Sequence, residues 1–544
     1  MHTSSRLLIG LLIIFCSTPL SFFAQQHPNI LLIIGDDMGV DAIDGFGIAT
    51  NPPSTPHLDS LRAMGVSFTQ VWASPACAPT RAAIMSGKYG IKNGVTTVPG
   101  NLDTTHTSLF RELNLRSSQP YATALIGKWH ISQPSNNFSD PQSHGIDEYM
   151  GTFTSGVTDY YAWDKLENGL ESIENTYASA YFTNYANTWI AQQNQPWICW
   201  LAHVSPHSPI HEPPAGTYTQ SPVNSNYQKF RAMIENLDYE IGRVFDAMSQ
   251  QQKENTLVIF VGDNGTSGNL LREFPSGKGK GTVYEGGVRV PMIVSGAGVS
   301  RQGVTEDAMI HVSDIYATIL EMADSTIADV GGLYNSLSFA HLLHGNPQNR
   351  PTRTYNYSEF TANNQSSNGD VYAIRNDQYK LIVNTTFQTE ELYDLMNDPF
   401  EGTDLLTGSL TSSQQVAYSD LLAEATVIRT DWSCDDHIQN GGEDGIDCIG
   451  TPCADCSRLS VAIQPTGEEQ VQIYPNPTAS ALSLFMPESG NIRVWDHQGK
   501  MVQLVNSLRA GERTLNTDSW PEGIYFLEVE IKGKKIVEKV MIQH

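Results

Sequence analysis

The sequence predicts an α/β protein. Its main part is a mixed, mostly parallel sheet flanked by helices, with a smaller C-terminal α+β subdomain. A small Cys-rich segment and an all-β sandwich domain follow. Between residue 29 and about residue 300, short apolar runs alternate with loops and helical patterns, which is typical of a parallel sheet covered on both faces. Near the C-terminus, Gly-containing turns separate short strand patterns, which favours hairpins.

The strands of the large sheet are predicted at continuous apolar runs, namely 29–34, 66–72, 122–126, 197–202 and 256–261. A helix is predicted from Thr55, as the N-cap, to Gly65, because Pro56 suits a first helical turn. A short helix is predicted over 79–86. A longer helix over 230–248 carries apolar residues at helical spacing, on the face that we expect to meet the core.

The pattern changes beyond about residue 310. The runs 379–383 and 391–395 are predicted to pair as strands of a smaller sheet, and 412–429 is predicted to be a helix. We therefore expect these domains: a catalytic domain over 25–431 with a C-terminal subdomain from about 310, a Cys-rich segment and linker over 432–467, and an all-β domain over 468–544.

Residues 1–24 are predicted to be a signal peptide. Arg6 precedes the apolar run 7–15, and Ala24 is a small residue suited to cleavage. This run is too short to cross a bilayer, and no other apolar run is long enough. We therefore expect an exported protein without a transmembrane segment.

The overall charge excludes some partners. The formal net charge is -26 and the sequence pI is near 4.8, so bulk attraction to nucleic acid or to an anionic membrane surface is excluded. If the substrate is an anion, the cations that bind it must be concentrated in the site itself.

The seven cysteines are unevenly distributed. Cys16 belongs to the predicted signal peptide, and Cys77 and Cys199 stand alone in the large domain. Four crowd into one short segment: Cys434, Cys448, Cys453 and Cys456. In an exported chain they indicate two disulfides, with three pairings open. A zinc site is the alternative, because the last two have Cys-x-x-Cys spacing.

Polar residues follow the predicted strands of the large sheet. They are Asp36 and Asp37, Lys128 and His130, His207, and Asp263 and Asn264. Because the carboxyl ends of parallel strands meet at one crevice, these residues are expected to share a site. The aspartates and the asparagine offer only oxygen ligands, which suits calcium, with magnesium as the alternative.

A further pattern is Cys-x-Pro-x-Arg, formed by Cys77, Pro79 and Arg81. On its own it is also compatible with an inert buried thiol. Together with six other segments it resembles the sulfatase family, in which this cysteine is oxidised to formylglycine (3-oxoalanine). The segments are 29–37, 77–88, 127–130, 206–209, 262–265, 280–287 and 392–399. Ala78 departs from the family pattern, which more often has a small hydroxyl residue or cysteine there.

The resemblance implies a sulfuric ester hydrolase. Asp36, Asp37, Asp263, Asn264 and the modified Cys77 would bind the cation, which activates a hydroxyl of the hydrated aldehyde as nucleophile. Three cationic residues would neutralise the sulfate, namely Arg81, Lys128 and Lys280. His207 would be the acid for the departing alcohol and His130 the base.

The C-terminal segment 468–544 resembles the sorting domain of the type IX secretion system, through 473–477, 523–525 and 539–544. This implies export through the periplasm and a secreted or cell-surface protein. The expected partners are a sulfated polysaccharide or oligosaccharide, the enzyme that matures Cys77, and the type IX secretion machinery. An ordinary carbohydrate-binding β-sandwich is the alternative for this segment.

Two other functions stay open at the level of the sequence. A formylglycine-dependent phosphodiesterase or phosphonate hydrolase would use the same core. A protein that binds sulfated glycans without turning them over would keep the fold but need no modification at Cys77.

Overall fold

The computed structural model describes residues 27–133, 138–324, 335–344, 352–361 and 369–430, together with most of the strands and a few neighbouring residues between 472 and 542. The chain divides into two compact units, Met1–Ala423 and Glu424–His544. The predicted signal peptide and the four clustered cysteines lie outside the described residues. Within the described part, no helix combines the length and the apolar character needed to cross a membrane.

The first unit is built on a ten-stranded sheet in the order β10-β2-β9-β8-β1-β7-β3-β4-β5-β6. Its strands are β1 (Asn29–Gly35), β2 (Gly65–Trp72), β3 (Ala122–Lys128), β4 (Glu148–Thr152), β5 (Trp163–Glu167), β6 (Leu170–Glu174), β7 (Trp197–Ala202), β8 (Thr256–Gly262), β9 (Met292–Gly296) and β10 (Val304–His311). The central strands pair in parallel, whereas β9 and the hairpin β5–β6 are antiparallel. The predicted mixed, mostly parallel sheet is confirmed.

Helices cover both faces of this sheet. They are α1 (Pro56–Ala63), α2 (Cys77–Ser86), α3 (Gly90–Asn93), α4 (Leu109–Arg116), α5 (Asp140–Ser143), α6 (Ala178–Ala191), α7 (Asn226–Ala247), α8 (Gln250–Glu254), α9 (Glu285–Val288) and α10 (Asp314–Ala323). Alternate residues of β1 enter two separate apolar clusters, Ile30 and Ile34 on one face and Leu31 and Ile33 on the other. This explains why β1 is apolar throughout.

A smaller antiparallel sheet follows in the same unit, as predicted. Its strands, in spatial order, are β11 (Asn356–Phe360), β12 (Val371–Arg375), β13 (Tyr379–Asn384) and β14 (Thr389–Asp394). The helix α11 (Ser412–Thr430) comes after them.

The second unit contains only strands among its described residues beyond α11. They are β15 (Gln472–Tyr474), β16 (Ala481–Met486), β17 (Gly490–Asp496), β18 (Met501–Leu508), β19 (Gly511–Asn516), β20 (Gly523–Ile531) and β21 (Lys534–Ile542). They form two antiparallel sheets, β15-β16-β19 and β18-β17-β20-β21. One apolar cluster combines Leu482 and Leu515 of the first sheet with Ile492 and Leu527 of the second, so the unit is a sandwich.

Candidate active site

Polar side chains from neighbouring strand ends meet at one edge of the large sheet. Asp36 and Asp37 follow β1, and Asp263 and Asn264 follow β8, which is its parallel neighbour. The backbone N–H of Asp37 donates to Oδ1 of Asp263 at 3.0 Å. Nδ2 of Asn264 donates to Oδ1 of Asp37 at 2.9 Å. The two motifs, more than two hundred residues apart in sequence, therefore form one acidic cluster.

Cys77 enters this cluster from the first turn of α2. We predicted that this helix begins at residue 79, but it begins at Cys77 itself. The thiol therefore lies at the positive end of the helix dipole, where an anion is stabilised. The helix is buried along its whole length, and Sγ of Cys77 lies 3.2 Å from Nδ1 of His130.

Each of the three carboxylates has a cation within 3 Å, and Asp36 also lies 3.9 Å from Nη2 of Arg81. Nζ of Lys128 lies 2.6 Å from Oδ2 of Asp36. Nζ of Lys280 lies 2.5 Å from Oδ1 of Asp37. Nη2 of Arg81 lies 2.8 Å from Oδ2 of Asp263, while its Nη1 donates to the backbone carbonyl of Lys128. We call these six side chains, together with Cys77, His130, His207 and Asn264, the catalytic cluster.

The electrostatics of the cluster favour a charged Asp36 and a neutral His130. Burial acts to raise the pKa of Asp36, but Lys128 and the other nearby cations bring that pKa far below its ordinary value. Burial, reinforced by the charges of Lys128 and Arg81, keeps the pKa of His130 well below 6.5. A neutral imidazole can accept a proton, so His130 is in the state that a general base requires.

The loop that follows β7 presents His207 to the same site. Nε2 of His207 lies 3.9 Å from Oδ2 of Asp37. Its Nδ1 lies 2.7 Å from the carbonyl oxygen of Ser208, so this nitrogen donates and Nε2 faces the cluster. The side chains of His207 and Lys280 are each 22% exposed, whereas Lys128 and Asp36 are fully buried. A ligand therefore reaches the cluster past His207 and Lys280.

Three residues at the site, Asp37, Gly127 and His130, have positive backbone φ angles. Asp37 and His130 both have left-handed φ angles, 67° and 61°, which are uncommon outside glycine and concentrate at functional sites. Gly127 has a φ of 109°, and a Cβ there would lie 1.9 Å from the carbonyl oxygen of Ala202. Only glycine fits at this point, where β3 approaches β7 just before Lys128 and His130.

Two buried oxygens in the cluster have no hydrogen-bond partner, namely Oδ1 of Asp36 and Oδ1 of Asn264. Ligand atoms of Asp36, Cys77 and Asp263 all lie within 4.8 Å of one another, as do those of Asp36, Asp37 and His207. Unsatisfied buried oxygens are costly unless something binds them. Carboxylate and amide oxygens at this spacing fit a hard divalent cation, so the residues present fit the metal that the sequence predicts.

One residue of the site was missed by sequence reasoning. Tyr160 is buried, and its hydroxyl lies 2.6 Å from the carbonyl oxygen of Val204 and 2.8 Å from that of His207. It supports the loop that presents His207. No sequence signal marks Tyr160, because its partners are backbone atoms of a distant segment.

The sequence profiles of three known families match the chain. The profile named Sulfatase matches residues 28–325, which is more than half of the chain. The protein belongs to the sulfatase family. Its members are sulfuric ester hydrolases. The profile of the N-sulphoglucosamine sulphohydrolase C-terminal region matches residues 279–425, and that of the secretion system C-terminal sorting domain matches residues 472–543.

Several members of the sulfatase family are similar to this chain over different lengths. Arylsulfatase J of Mus musculus is 28% identical over 56% of this chain and 53% of its own length. Arylsulfatase G of Rattus norvegicus is 24% identical over 81% of this chain and 93% of its own length. The crystal structure of Ps i-CgsB in complex with k-i-k-neocarrahexaose covers 75% of this chain and 93% of its own, at 24% identity and a TM-score of 0.62. The sulfatase fold is therefore shared.

Proposed function

We propose that this sulfatase hydrolyses sulfate esters of a polysaccharide or oligosaccharide after Cys77 has been converted to formylglycine. One observation carries the proposal. Cys77 lies at the N-terminus of α2, 3.2 Å from His130, and its Sγ is within 4.8 Å of ligand oxygens of Asp36 and Asp263. The Sγ atom stands where the oxygens of a hydrated aldehyde would lie. An inert core thiol would have no reason to be surrounded by charges.

A divalent cation would be held by Asp36, Asp37, Asp263 and Asn264, together with the modified residue 77. We propose calcium, with magnesium as the alternative, because all four side chains offer oxygen. When bound, the cation lowers the pKa of a hydroxyl at position 77 and offsets the carboxylate charges. The unsatisfied oxygens of Asp36 and Asn264 support this assignment.

The cationic side chains bind and orient the sulfate group. Lys280 is the partly exposed cation, so it meets the incoming ester first, whereas Arg81 and Lys128 lie deeper and are already oriented by Asp263 and Asp36. Preorganised charges of this kind stabilise the charge that develops on the sulfate oxygens without further reorganisation.

The two histidines divide the proton transfers. His130 is neutral because burial lowers its pKa, so its Nδ1 can take a proton from the group at position 77. His207 presents Nε2 and gives a proton to the oxygen of the departing sugar alcohol. Over the whole cycle one water is consumed, the C–O–S linkage breaks at the S–O bond, and alcohol and sulfate are released.

The carbohydrate substrate and the site of action are supported by the relatives and by the last segment. Ps i-CgsB binds an oligosaccharide, as its complex states, and a human relative, 25% identical, is an N-acetylgalactosamine-6-sulfatase. The sorting-domain match supports recognition by the type IX secretion machinery. We further propose passage through the periplasm to a secreted or cell-surface location, and maturation of Cys77 by a formylglycine-generating enzyme.

The test combines peptide mass spectrometry with two cysteine variants. Native protein should contain formylglycine at position 77, and Cys77→Ala should lose at least about 10³-fold of aryl sulfate turnover. Cys199→Ala is the matched control, since Cys199 is the other described cysteine, also free and buried, and it should keep its activity. An aryl phosphate diester assayed in parallel separates the phosphodiesterase alternative. Unmodified thiol in an active enzyme would refute the mechanism.

A further inference from the structure

A cavity of about 230 Å³ lies against a loop that contacts two residues of the catalytic cluster, His130 and His207. Its walls are the loop 152–158, which follows β4, and the hairpin β5–β6 at the edge of the large sheet. The volume suits a single sugar ring rather than a longer segment of chain. None of the steps assigned to the catalytic cluster uses this cavity.

The loop that forms the cavity touches both catalytic histidines. The backbone N–H of His130 donates to the carbonyl oxygen of Phe153 at 3.0 Å. Gly156 lies against His207, because a Cβ at this glycine would be 3.4 Å from Nδ1 of the histidine. His207 is the proposed donor to the departing alcohol, so the desulfated sugar lies next to it. The loop that lines the cavity therefore also borders the position toward which a sugar linked to that residue would extend.

The lining of the cavity combines hydroxyls, an aromatic ring and carboxylates. Phe153 lines it and packs edge-on against Phe138, and the loop adds the hydroxyls of Thr154, Ser155 and Thr158. Apolar ring faces and side-chain hydroxyls are the groups that contact the faces and edges of sugar rings. The cavity is therefore suited to a polar ring.

Three charged side chains line the cavity, namely Asp164, Lys165 and Glu171. Asp164 and Glu171 line it from the hairpin and are exposed, and among the described residues neither has a Lys or Arg partner. Lys165 is engaged elsewhere, because its Nζ lies 2.9 Å from Glu167 and 3.0 Å from the hydroxyl of Tyr181. Carboxylates accept hydrogen bonds from sugar hydroxyls but repel a second sulfate.

We propose that this cavity is a subsite for a neutral, unsulfated sugar residue linked to the residue whose sulfate is removed. The proposal rests on the sulfatase function proposed above and adds a restriction to it. The enzyme would prefer a substrate with sulfate on one residue and free hydroxyls on its neighbour. A substrate in which the neighbouring residue also carries a sulfate would be disfavoured, because Asp164 and Glu171 would repel that sulfate.

The kinetic test uses three probes. They are 4-nitrophenyl sulfate, the singly sulfated disaccharide that the enzyme desulfates fastest in a panel of carrageenan and glycosaminoglycan disaccharides, and its doubly sulfated counterpart. Asp164→Asn combined with Glu171→Gln should lower kcat/KM for the singly sulfated disaccharide about tenfold and leave 4-nitrophenyl sulfate unchanged. Glu171→Lys should raise the relative rate on the doubly sulfated disaccharide. Asp246→Asn, which removes an exposed carboxylate from α7, should change none of these rates.

A binding arm separates the subsite from the chemistry. Calorimetric titration of Cys77→Ala with the disaccharide panel should show binding of a singly sulfated disaccharide that weakens about tenfold when the two carboxylates are also neutralised. In the kinetic test, the proposed subsite would be overturned if Asp164→Asn combined with Glu171→Gln lowered kcat/KM equally for the disaccharide and for 4-nitrophenyl sulfate, or lowered it for neither. If wild-type enzyme turned over no sulfate ester, the proposed function would fail, and the titration would still decide whether the cavity binds the sugar.

Discussion

Two clusters of buried charges in the first unit look alike in composition but differ in access. The catalytic cluster pairs three carboxylates with three cations, and Lys280 and His207 open it to solvent. A second cluster, the Glu285 cluster, consists of Glu285, Glu401, Lys380 and Arg375. Nζ of Lys380 lies 3.1 Å from Glu285 and 2.8 Å from Glu401, and every charged group in those two pairs is at most 2% exposed.

The Glu285 cluster joins the two sheets of the first unit. Glu285 begins α9 and accepts a hydrogen bond from the indole N–H of Trp72 on β2 at 3.1 Å, while Lys380 belongs to β13 of the smaller sheet. Its two carboxylates are neutralised by Lys380 and Arg375, and all four side chains are at most 5% exposed. Buried oxygens without a hydrogen-bond partner occur in both clusters, Oδ1 of Asp36 in one and Oε2 of Glu285 in the other. Access to solvent, rather than charge or incomplete hydrogen bonding, therefore distinguishes the candidate site from the Glu285 cluster.

Replacing the buried lysine in the catalytic cluster should have the greatest consequence. Lys128→Met removes the cation nearest Asp36. Because we propose that this charge stabilises the transition state, we expect turnover of aryl sulfate to fall about 10²–10³-fold. Circular dichroism should show a folded chain. Activity within about tenfold of wild type would show that Lys128 acts on stability, as Lys380 is expected to do, and would contradict the proposed difference between the two clusters.

The corresponding change in the Glu285 cluster should act on stability instead. Lys380→Met leaves Glu285 and Glu401 buried without their shared cation, which we expect to cost about 3–5 kcal/mol of the free energy of unfolding. Denaturant unfolding measures this loss, and the protein that remains folded should keep its kcat. Arg62→Met is the control, since its pair with Asp59 is exposed and should contribute less than about 1 kcal/mol.

Removing divalent cations should show which of the two clusters binds a cation. Chelation should lower the melting temperature of wild-type protein, and calcium at about 100 times its Kd should restore about 2.7 kcal/mol. Asp263→Asn should lose most of this response, whereas Lys380→Met should respond as wild type does. A calcium response that persists in full in Asp263→Asn would place the cation elsewhere.

The smallest effect is expected at a buried carboxylate that belongs to neither cluster. Asp238 accepts hydrogen bonds from the backbone N–H groups of His57 and Leu58, and no described Lys or Arg forms an ion pair with it. Burial raises its pKa from 3.8 to about 6. Because the folded state then binds the proton more readily than the unfolded state, wild type should gain stability as the pH falls from about 7 to about 4, relative to Asp238→Asn.

Urea unfolding of both proteins at several pH values measures this difference. A difference that stays constant across the range, or one that shrinks on acidification, would show that burial alone does not govern this carboxylate. Asp36 is the contrasting case, because nearby cations hold its pKa far below the ordinary value.

Much of the fold and the membership of the catalytic cluster could be read from local patterns. Polar residues directly after apolar strands share one edge because parallel strands end on the same side of the sheet. This reasoning, with the resemblance to sulfatases, brought together residues as distant as Asp36 and Lys280. The start of α2 was misplaced by two residues, since Pro79 is equally acceptable at a first helical position.

The order of residues along the chain therefore determined the layered sheet and the edge of the sheet at which the charged candidate residues gather. Packing alone decided the left-handed backbone of His130, the support of His207 by Tyr160, the closed Glu285 cluster and the cavity beside Phe153. These features depend on contacts between segments that are remote in sequence and on backbone atoms that carry no residue-specific signal. A local pattern records which groups are available, whereas their partners, burial and accessibility are set only when the segments pack together.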